Sequence, residues 1–219
     1  MGQYYRPVLI GKRGGVKFLY SWDYDNGQKL MAHSYIGNNF VNAVLSQILH
    51  HPMRIAWMGD YALDDWNRSE PYKTKMPECD FRYLYHRIWN LGDGTFKENR
   101  YKIHPEPLSM SNVSDFSGWY LVNHTQKTYI NLNTYTERNK WREHWKDWRT
   151  GKEGEDDACI HPLPLLTACG NGRGGGDYYA SHPDYDQIGT WAFDLIEFTD
   201  CKPAGYNETS YHFTEQEEV

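Results

Sequence analysis

The most regular hydrophobic pattern of the chain lies between residues 39 and 51. Its apolar side chains recur at intervals of three and four residues, which is the spacing of one face of an α-helix. They are Phe40, Val41, Val44, Leu45, Ile48 and Leu49. Asn38 or Asn39 is suited to cap the start of this helix, and Pro52 is expected to end it. The polar side of the helix, which carries Asn42, is predicted to face water.

Short apolar or alternating runs predict the strands of a β-sheet. They cover residues 3–10, 16–22, 54–58, 119–123, 128–132 and 189–198. The turn-forming residues 11–15 and 124–127 join two pairs of these strands into predicted hairpins. Since strands and helices do not alternate regularly along the chain, a doubly wound parallel sheet is disfavoured. We therefore expect the α+β class, with a mostly antiparallel mixed sheet and a few amphipathic helices.

Two shorter patterns also indicate helices. Residues 79–89 place apolar side chains on one face of a helix. Trp141, Trp145 and Trp148 follow the spacing i, i+4 and i+7, which puts three indole rings on one side of a short helix. Indoles on such a stripe lie in the core more often than in a ligand site. We therefore predict that this helix packs inside the protein.

The remaining segments are predicted to be loops and a tail. Residues 90–117 are rich in turn-forming residues, and residues 150–157 are rich in acidic side chains. At 219 residues the chain is long enough to bury one sizeable core. We predict a single globular domain over residues 1–207, followed by a flexible acidic tail over residues 208–219.

The net charge of −6 gives the whole molecule no electrostatic attraction for nucleic acid polymers or anionic membranes. The chain has no apolar run of eighteen residues, and its start lacks the apolar stretch of a signal peptide. We therefore expect a cytoplasmic location. The cysteines and histidines show none of the spacings of zinc sites. Neither a metal nor a cofactor is predicted, and the cysteines are expected to be ordinary buried thiols.

The strongest candidate for function is a segment with an unusual density of glycine, which we call the glycine loop. It consists of Gly170, Asn171, Gly172, Arg173, Gly174, Gly175, Gly176 and Asp177. These residues satisfy the G-x-G-x-x-G pattern, but no helical period follows them, so a dinucleotide-binding fold is not predicted. Glycines allow successive main-chain amides to converge on an anion, and Arg173 is suited to bind the same phosphate or carboxylate. Asp177 is suited to accept a hydrogen bond from a ribose hydroxyl or to cap the amides of its own loop. The alternative interpretation of the whole segment is a flexible surface loop.

A second candidate segment begins within the predicted strand at residues 54–58. Trp57 lies in this strand, and Asp60 and Tyr61 come directly after it, where binding sites often form. A carboxylate that only stabilises a turn is an equally good interpretation of Asp60. We include His33 in the ligand-binding set, although a lone histidine is more often a structural hydrogen-bonding group.

Several segments of the chain resemble the recurring blocks of one protein family. They are MGQYY, GQKLMAHSYIGN, RIAWMGDYA, GWYLVNHTQKTYINL, IHPLPLLTACGNGRGGGDYY and IGTWAFDLI. In these blocks the chain is similar to a family of bacterial, archaeal and phage proteins that open with MGQYY and carry a GNGRGGGD loop. The resemblance extends from residue 1 to about residue 198 and implies a single domain with the glycine loop built into it. Relatives often read GTWAGDRI where this chain has Phe193, and the larger residue argues against a close backbone approach at that point.

These features favour a module that binds a small phosphorylated ligand, such as a nucleotide or an ADP-ribose-like molecule. The loop amides and Arg173 would hold its phosphate, and Trp57, Tyr61 or Trp191 would stack on its base. One version of this function is a phage protein that sequesters a nucleotide signal of its host.

Two alternatives remain open at this point. The first is a hydrolase of such a ligand, a phosphodiesterase or an N-glycosidase, in which Asp60, Asp177 and His161 are the acid–base groups. The second is a structural or partner-binding protein, in which the 9 tryptophans and 18 tyrosines of the chain form an interface.

Overall fold

The computed structural model of the chain describes residues 2–11, 15–62, 85, 100–147 and 149–214. Its strands are β1 (Tyr5–Ile10), β2 (Val16–Phe18), β3 (Met53–Gly59), β4 (Arg100–Lys102), β5 (Tyr120–Asn123), β6 (Thr128–Asn131), β7 (Trp141–Lys146), β8 (Glu153–Ala158), β9 (Ala168–Cys169), β10 (Leu195–Thr199) and β11 (Asn207–Glu208). Its α-helices are α1 (Leu30–His33), α2 (Asn39–Ile48), α3 (Leu132–Asn139) and α4 (Pro162–Leu166). Short 3₁₀ helices cover Ser21–Tyr24, Val113–Phe116 and Tyr185–Gln187.

Most of the strands belong to one mixed sheet. Its order is β11-β6-β5-β10-β3-β1-β2-β4, and β9 pairs with β3 beside this path. The pairings of β11 with β6, β4 with β2 and β9 with β3 are parallel, whereas the other described pairings are antiparallel. Helices separate groups of strands rather than alternating with single strands. The α+β class and the mainly antiparallel mixed sheet predicted from the sequence are confirmed.

Side chains on the two faces of the sheet form two separate buried clusters. The alternation along β1 shows the division, since Tyr5 and Leu9 belong to the larger cluster. Val8 and Ile10 belong to the smaller one. Helix α2 packs its apolar stripe into the larger cluster. Because each buried side chain of leucine or phenylalanine size stabilises a fold by about 1.5–3 kcal/mol, the larger cluster is the main hydrophobic core.

Helix α2 forms where its apolar period predicts it. The side chain of Asn38 caps the helix, because its Oδ1 accepts hydrogen bonds from two amides of the first turn at 2.9 and 3.4 Å. The helix ends at Ile48. The prediction that the polar side faces water is wrong for Asn42, which is buried and donates from Nδ2 to the carbonyl oxygen of Met110 at 2.7 Å.

Two predictions between residues 141 and 157 are wrong, the helix that carries the tryptophans and the acidic loop that follows it. Strands β7 and β8 pair there as an antiparallel hairpin of their own, outside the main sheet. Opposite charges face each other across it in the ion pairs Arg142 with Asp157 and Lys146 with Glu153, and His144 Nε2 lies 2.6 Å from Glu155 Oε1 between them. Trp145 is 42% exposed and donates from Nε1 to Asp156 Oδ2 at 2.7 Å. Trp148 lies outside the described residues.

The chain stays packed beyond the predicted boundary at residue 207. Strand β11 pairs with β6. Phe213 is fully buried, and its amide donates to Asn139 Oδ1 at 2.8 Å. Residues 208–214 therefore do not form a free tail, and residues 215–219 lie outside the described part of the chain.

Other predicted segments are right in type but not always in length. Strands β3, β5 and β6 form as predicted, whereas β2 ends at Phe18 and Ser21–Tyr24 form a 3₁₀ helix instead of its continuation. Strand β10 begins only at Leu195. The predicted loop at residues 90–117 contains β4 and a 3₁₀ helix where it is described. The helix predicted at residues 79–89 lies outside the described part except for Tyr85.

Phe193 adopts a backbone conformation that favours glycine, with a φ of 64°. Its amide donates to the carbonyl oxygen of Ile55 at 2.7 Å, and its own carbonyl oxygen accepts from Arg54 Nη1 at 2.9 Å. The backbone thus approaches β3 closely although the residue is large. The expectation that Phe193 argues against such an approach is wrong, because its ring is buried in the smaller cluster.

Two further expectations concern membranes and thiols. Within the described ranges, no helix has both the length and the apolar character that crossing a membrane requires. Cys159 and Cys169 are buried thiols, as predicted, whereas Cys201 is exposed. Cys79 lies outside the described residues.

Candidate functional site

The glycine loop folds around a carboxylate of its own. Asp177 Oδ2 accepts hydrogen bonds from three successive amides, those of Gly172 at 2.8 Å, Arg173 at 2.8 Å and Gly174 at 3.0 Å. Asp177 is fully buried, whereas the Arg173 side chain is exposed. The amides converge on an anion, as successive main-chain N–H groups in such a loop do. Because that anion is Asp177, these three amides are already occupied and cannot hold a ligand phosphate in this arrangement.

Tyr5 holds Asp177 from the other side. Its Oη donates to Asp177 Oδ1 at 3.1 Å. Burial is the main cause that raises the pKa of the Tyr5 phenol, and the charge of Asp177 raises it further. Tyr5 is therefore a neutral donor at any ordinary pH. Four donors together compensate the charge of the buried carboxylate, which would otherwise be costly to enclose.

The loop also encloses the N-terminal segment of the chain. Gly2 and Gly175 are joined by an isolated parallel β-bridge. Gly174 lies against Gln3, because a Cβ atom at position 174 would be 2.5 Å from the main-chain nitrogen of Gln3. Only glycine fits such a close approach of two backbones. The glycines thus allow the loop to pack closely against residues 2 and 3.

The two ends of the loop are fixed by hydrogen bonds to main-chain groups. Asn171 donates from Nδ2 to the Tyr178 carbonyl oxygen at 2.7 Å and accepts from the Tyr178 amide at 2.9 Å. The Gly176 carbonyl oxygen accepts from the amide of Met31 at 2.9 Å. Gly170 directly follows β9, which pairs with β3. The loop is therefore an integral part of the fold rather than a flexible surface loop.

Asp60 and Tyr61 lie in the turn that follows β3. Asp60 Oδ1 accepts from the Tyr4 amide at 3.1 Å, and the Asp60 amide donates to the Tyr4 carbonyl oxygen at 3.0 Å. Tyr61 is half-buried. Burial is the largest cause of the raised pKa of Tyr5, and the charges of Asp177 and Asp60 raise it further. The two segments singled out in the sequence therefore meet at one end of the sheet, and Asp60 has the turn-stabilising role.

Trp57 and His33 belong to the core rather than to a ligand site. Trp57 Nε1 donates to His33 Nε2 at 2.8 Å, and His33 Nδ1 lies 2.9 Å from the carbonyl oxygen of Gly27. Since a carbonyl oxygen only accepts, the imidazole is neutral with its proton on Nδ1. Burial lowers the pKa of His33 to about 4. Both rings are fully buried, so neither is accessible to a stacking base.

Trp191 and His161 are enclosed as well. Trp191 is fully buried and does not present a face to a ligand. His161 is also fully buried and caps α4, because its Nδ1 accepts from the amide of Leu163 at 3.1 Å. Burial lowers the pKa of His161 to about 3. Among the residues that the structure describes, no group of three or more His, Cys, Asp or Glu side chains is placed to hold a metal ion.

A group of rings and cations lies at the β2 and β4 edge of the sheet, where the sequence predicts no site. The rings of Tyr20 and Trp22 stack with centroids 4.5 Å apart and planes inclined by 16°. The guanidinium carbon of Arg6 lies 4.5 Å from the Tyr20 ring centroid, and Lys102 Nζ lies 4.8 Å from the same centroid. We call these four residues the cation–aromatic cluster. Trp22 is 39% exposed, so the cluster opens to solvent.

The two cations of the cluster differ in their surroundings. Arg6 is buried, and its guanidinium carbon also lies 4.5 Å from the ring centroid of Tyr85. Burial is the largest influence on the pKa of Arg6 and lowers it, whereas the neighbouring tyrosines and Asp60 raise it. The side chain of Lys102 is 45% exposed, and its Nζ lies 2.7 Å from Asp23 Oδ2. The cluster thus combines an interior cation near Asp60 with a cation at the surface.

The cluster is assembled from three separate parts of the chain. Arg6 lies on β1, the two rings follow β2, and Lys102 ends β4. The parallel pairing of β4 with β2 places Lys102 opposite Phe18. The run of Tyr20 and Trp22 is visible in the sequence, where it is taken for the end of a strand. No sequence signal links it to the two cations.

Comparison with protein-family models, curated proteins and solved structures finds no match to this chain. Its function is therefore inferred from its own residues.

Proposed function

We propose that the protein binds a small phosphorylated ligand, of the nucleotide or ADP-ribose type, at the cation–aromatic cluster. The observation that supports this function is the stack of Tyr20 and Trp22, which is exposed at Trp22 and has two cationic side chains against the Tyr20 ring. A base stacks on an aromatic side chain with about 1–3 kcal/mol of binding free energy. A phosphate group requires positive charge nearby, which Lys102 offers at the surface and Arg6 offers from the interior.

Lys102 is able to exchange its partner when a ligand binds. Its ion pair with Asp23 is partly exposed, and pairs of this kind contribute only about 0–1 kcal/mol. A ligand phosphate therefore competes with the Asp23 carboxylate at a small energetic cost. Arg6 differs, because the rings of Tyr20 and Tyr85 hold its guanidinium in place.

The glycine loop supports this site rather than forming it. Arg6 lies on β1, next to Tyr5, and Tyr5 is bound to Asp177 of the loop. By holding β1 in position, the loop keeps the guanidinium beside the aromatic stack. This role replaces the direct phosphate contact expected of the loop amides.

We infer that the ligand is bound and kept rather than converted, as in sequestration of a nucleotide signal. The proposed acid–base groups Asp177 and His161 are buried and bonded within the fold, which supports binding over hydrolysis. Recovery of unchanged ligand after heat denaturation of the complex supports sequestration. Recovery of a converted product supports the hydrolase.

Trp22→Ala is expected to weaken the binding of ADP-ribose or AMP by roughly 10- to 100-fold, because one stacking contact is lost. Isothermal titration calorimetry at low salt measures this change. Lys102→Gln is expected to weaken AMP binding but to leave the binding of adenosine unchanged, since adenosine carries no phosphate.

Trp145→Ala is the matched control, because Trp145 and Trp22 have similar exposed fractions of 42% and 39%. This variant should bind the ligand as the wild-type protein does. Equal loss of affinity in both variants would contradict a specific site at Trp22. A wild-type protein that shows no thermal shift with any member of a nucleotide panel would favour the partner-binding alternative.

A further inference from the structure

A tyrosine, a histidine and a glutamate form a hydrogen-bonded row on the other half of the sheet. Tyr206 Oη lies 3.0 Å from His124 Nδ1, and His124 Nε2 lies 2.7 Å from Glu197 Oε2. His124 lies in the turn between β5 and β6, Glu197 lies on β10, and Tyr206 precedes β11. The pairing of β5 with β10 and of β6 with β11 brings the three side chains together.

The carboxylate determines the direction of its own hydrogen bond, and the neutral form of the imidazole determines the direction of the other. Glu197 only accepts, so the His124 proton that it binds is carried on Nε2. In the neutral imidazole Nδ1 is then an acceptor, and Tyr206 must donate its phenolic proton to it. The row therefore has the order of a nucleophile, a general base and a group that orients the base.

The row is accessible from solvent, and the segment that carries Tyr206 is bonded to the backbone of an exposed lysine. The side chains of His124 and Glu197 are 24% and 18% exposed, and Tyr206 is half-buried. Lys127 is exposed, and its carbonyl oxygen accepts from the amide of Asn207 at 3.0 Å, which places the Lys127 backbone next to the residue that follows Tyr206. An anionic substrate would be attracted to this position.

The row is not needed to fasten the segment that carries Tyr206. Main-chain bonds already attach that segment to β6 and its turn, from Asn207 to Lys127 at 3.0 Å and from Thr209 to Tyr129 at 2.8 Å. Hydrogen bonds to a buried backbone would serve such fastening better than a partly exposed row of side chains. The order of the three groups is therefore better explained by chemistry at Tyr206.

We propose that Tyr206 is the nucleophile of a second site, which acts on phosphodiesters. Tyr206 Oη bonds to phosphorus while the bond from phosphorus to the leaving alcohol breaks on the opposite side; His124 Nδ1 takes the phenolic proton, and the leaving oxygen takes a proton from bulk water. Water then attacks the phosphotyrosyl ester from the side opposite Tyr206 Oη, His124 Nδ1 returns the phenolic proton to Tyr206 Oη, and the proton of the attacking water goes to solvent. Glu197 is a positioning residue that keeps Nδ1 directed at Tyr206. This site is separate from the cation–aromatic cluster on β1, β2 and β4, and its substrate differs from the ligand that is kept there. Tyr206→Phe should therefore leave ligand binding at the cluster unchanged, which keeps the tests of the two proposals independent.

Hydrolysis of bis(4-nitrophenyl) phosphate by the full chain, followed as release of 4-nitrophenolate, tests the proposal. The wild-type protein is expected to exceed the buffer rate, and Tyr206→Phe and His124→Gln are each expected to lower the rate by about 100-fold or more. Glu197→Gln is expected to lower it by about 10-fold or more, with partial recovery in Glu197→Asp, because a positioning residue acts through the base.

Tyr120→Phe, which changes a half-buried tyrosine on the same hairpin, is the matched control and should keep the wild-type rate. If Tyr206→Phe does not fold, labelling of the wild-type protein with a fluorophosphonate decides the question. Peptide mass spectrometry should then find Tyr206 labelled faster than Tyr120. A wild-type rate equal to buffer, a folded Tyr206→Phe variant with the wild-type rate, or equal labelling of the two tyrosines would overturn the proposal.

Discussion

Replacing Asp177 with alanine is expected to lower the free energy of unfolding by about 4 kcal/mol. The substitution leaves the amides of residues 172–174 and the hydroxyl of Tyr5 without their acceptor inside the fold. Each buried donor without a partner is destabilising by about 1–3 kcal/mol. Urea unfolding followed by tryptophan fluorescence measures the change.

Two further variants separate the charge from the shape of this residue. Asp177→Asn keeps an acceptor oxygen and should lose about half as much stability as Asp177→Ala. Asp186→Ala removes an exposed carboxylate nearby and should change stability by no more than about 0.5 kcal/mol. A loss of less than about 1 kcal/mol in Asp177→Ala would contradict the proposed structural role of the carboxylate.

An added anion should partly repair the loop once its own carboxylate is gone. In Asp177→Gly the three amides still converge, so formate or acetate is expected to raise the melting temperature of this variant. The wild-type protein should show no comparable rise, because Asp177 occupies its amides. Equal effects on both proteins would show that the anion acts elsewhere.

Lowering the pH from 7.5 to 4.5 is expected to lower the free energy of unfolding by roughly 2–3 kcal/mol for each of His33 and His161. Burial lowers the pKa of His33 to about 4 and that of His161 to about 3. An unfolded histidine has a pKa of about 6.5. Below that pH the unfolded chain takes up protons that the folded protein does not bind. The contribution is therefore fully present above pH 6.5 and is lost progressively as the pH falls toward the folded-state pKa.

His161→Asn isolates one half of this effect. Asparagine still caps a helix, so α4 keeps an acceptor for the amide of Leu163, but the side chain no longer titrates. The loss of stability between pH 7.5 and 4.5 should shrink by roughly 2–3 kcal/mol relative to the wild-type protein. His51→Asn changes an exposed histidine and should leave the pH dependence as it is. The same pH dependence in all three proteins would mean that His161 does not remain neutral in the fold.

The parts of the fold that sequence predicts well have local causes. Helix α2 has a long apolar period and a capping residue at Asn38, and both signals lie within the helix itself. The hairpin of β5 and β6 combines alternating residues with a short turn. The buried position of Asn42 could not be predicted in this way, because its partner Met110 lies 68 residues away.

The hairpin of β7 and β8 shows how one pattern supports two structures. Trp141 and Trp145 are four residues apart, which fits one face of a helix and equally one face of a strand. The strand is favoured because charged side chains of β7 lie opposite side chains of the other sign on β8, as in the pair of Arg142 and Asp157. That complementarity is invisible until the two segments are paired.

The sequence predicts the glycine loop but not the ligand site that we propose. The convergence of the loop amides follows from glycine content alone, whereas the choice of Asp177 as their anion depends on how the loop closes. The cation–aromatic cluster requires the parallel pairing of β4 with β2, which brings Lys102 to Tyr20. No periodicity or spacing encodes such a pairing.

The bond between Tyr5 and Asp177 also has a consequence for biosynthesis, because the two residues are 172 positions apart. On the ribosome β1 and β3 can meet early, but the first residues lack their cover until the loop emerges. Contacts of such separation carry a large loop-closure entropy and form late. The edge of the sheet in the nascent chain therefore stays incomplete until residues 172–177 have been synthesised, and it is in this interval that a chaperone would be needed most.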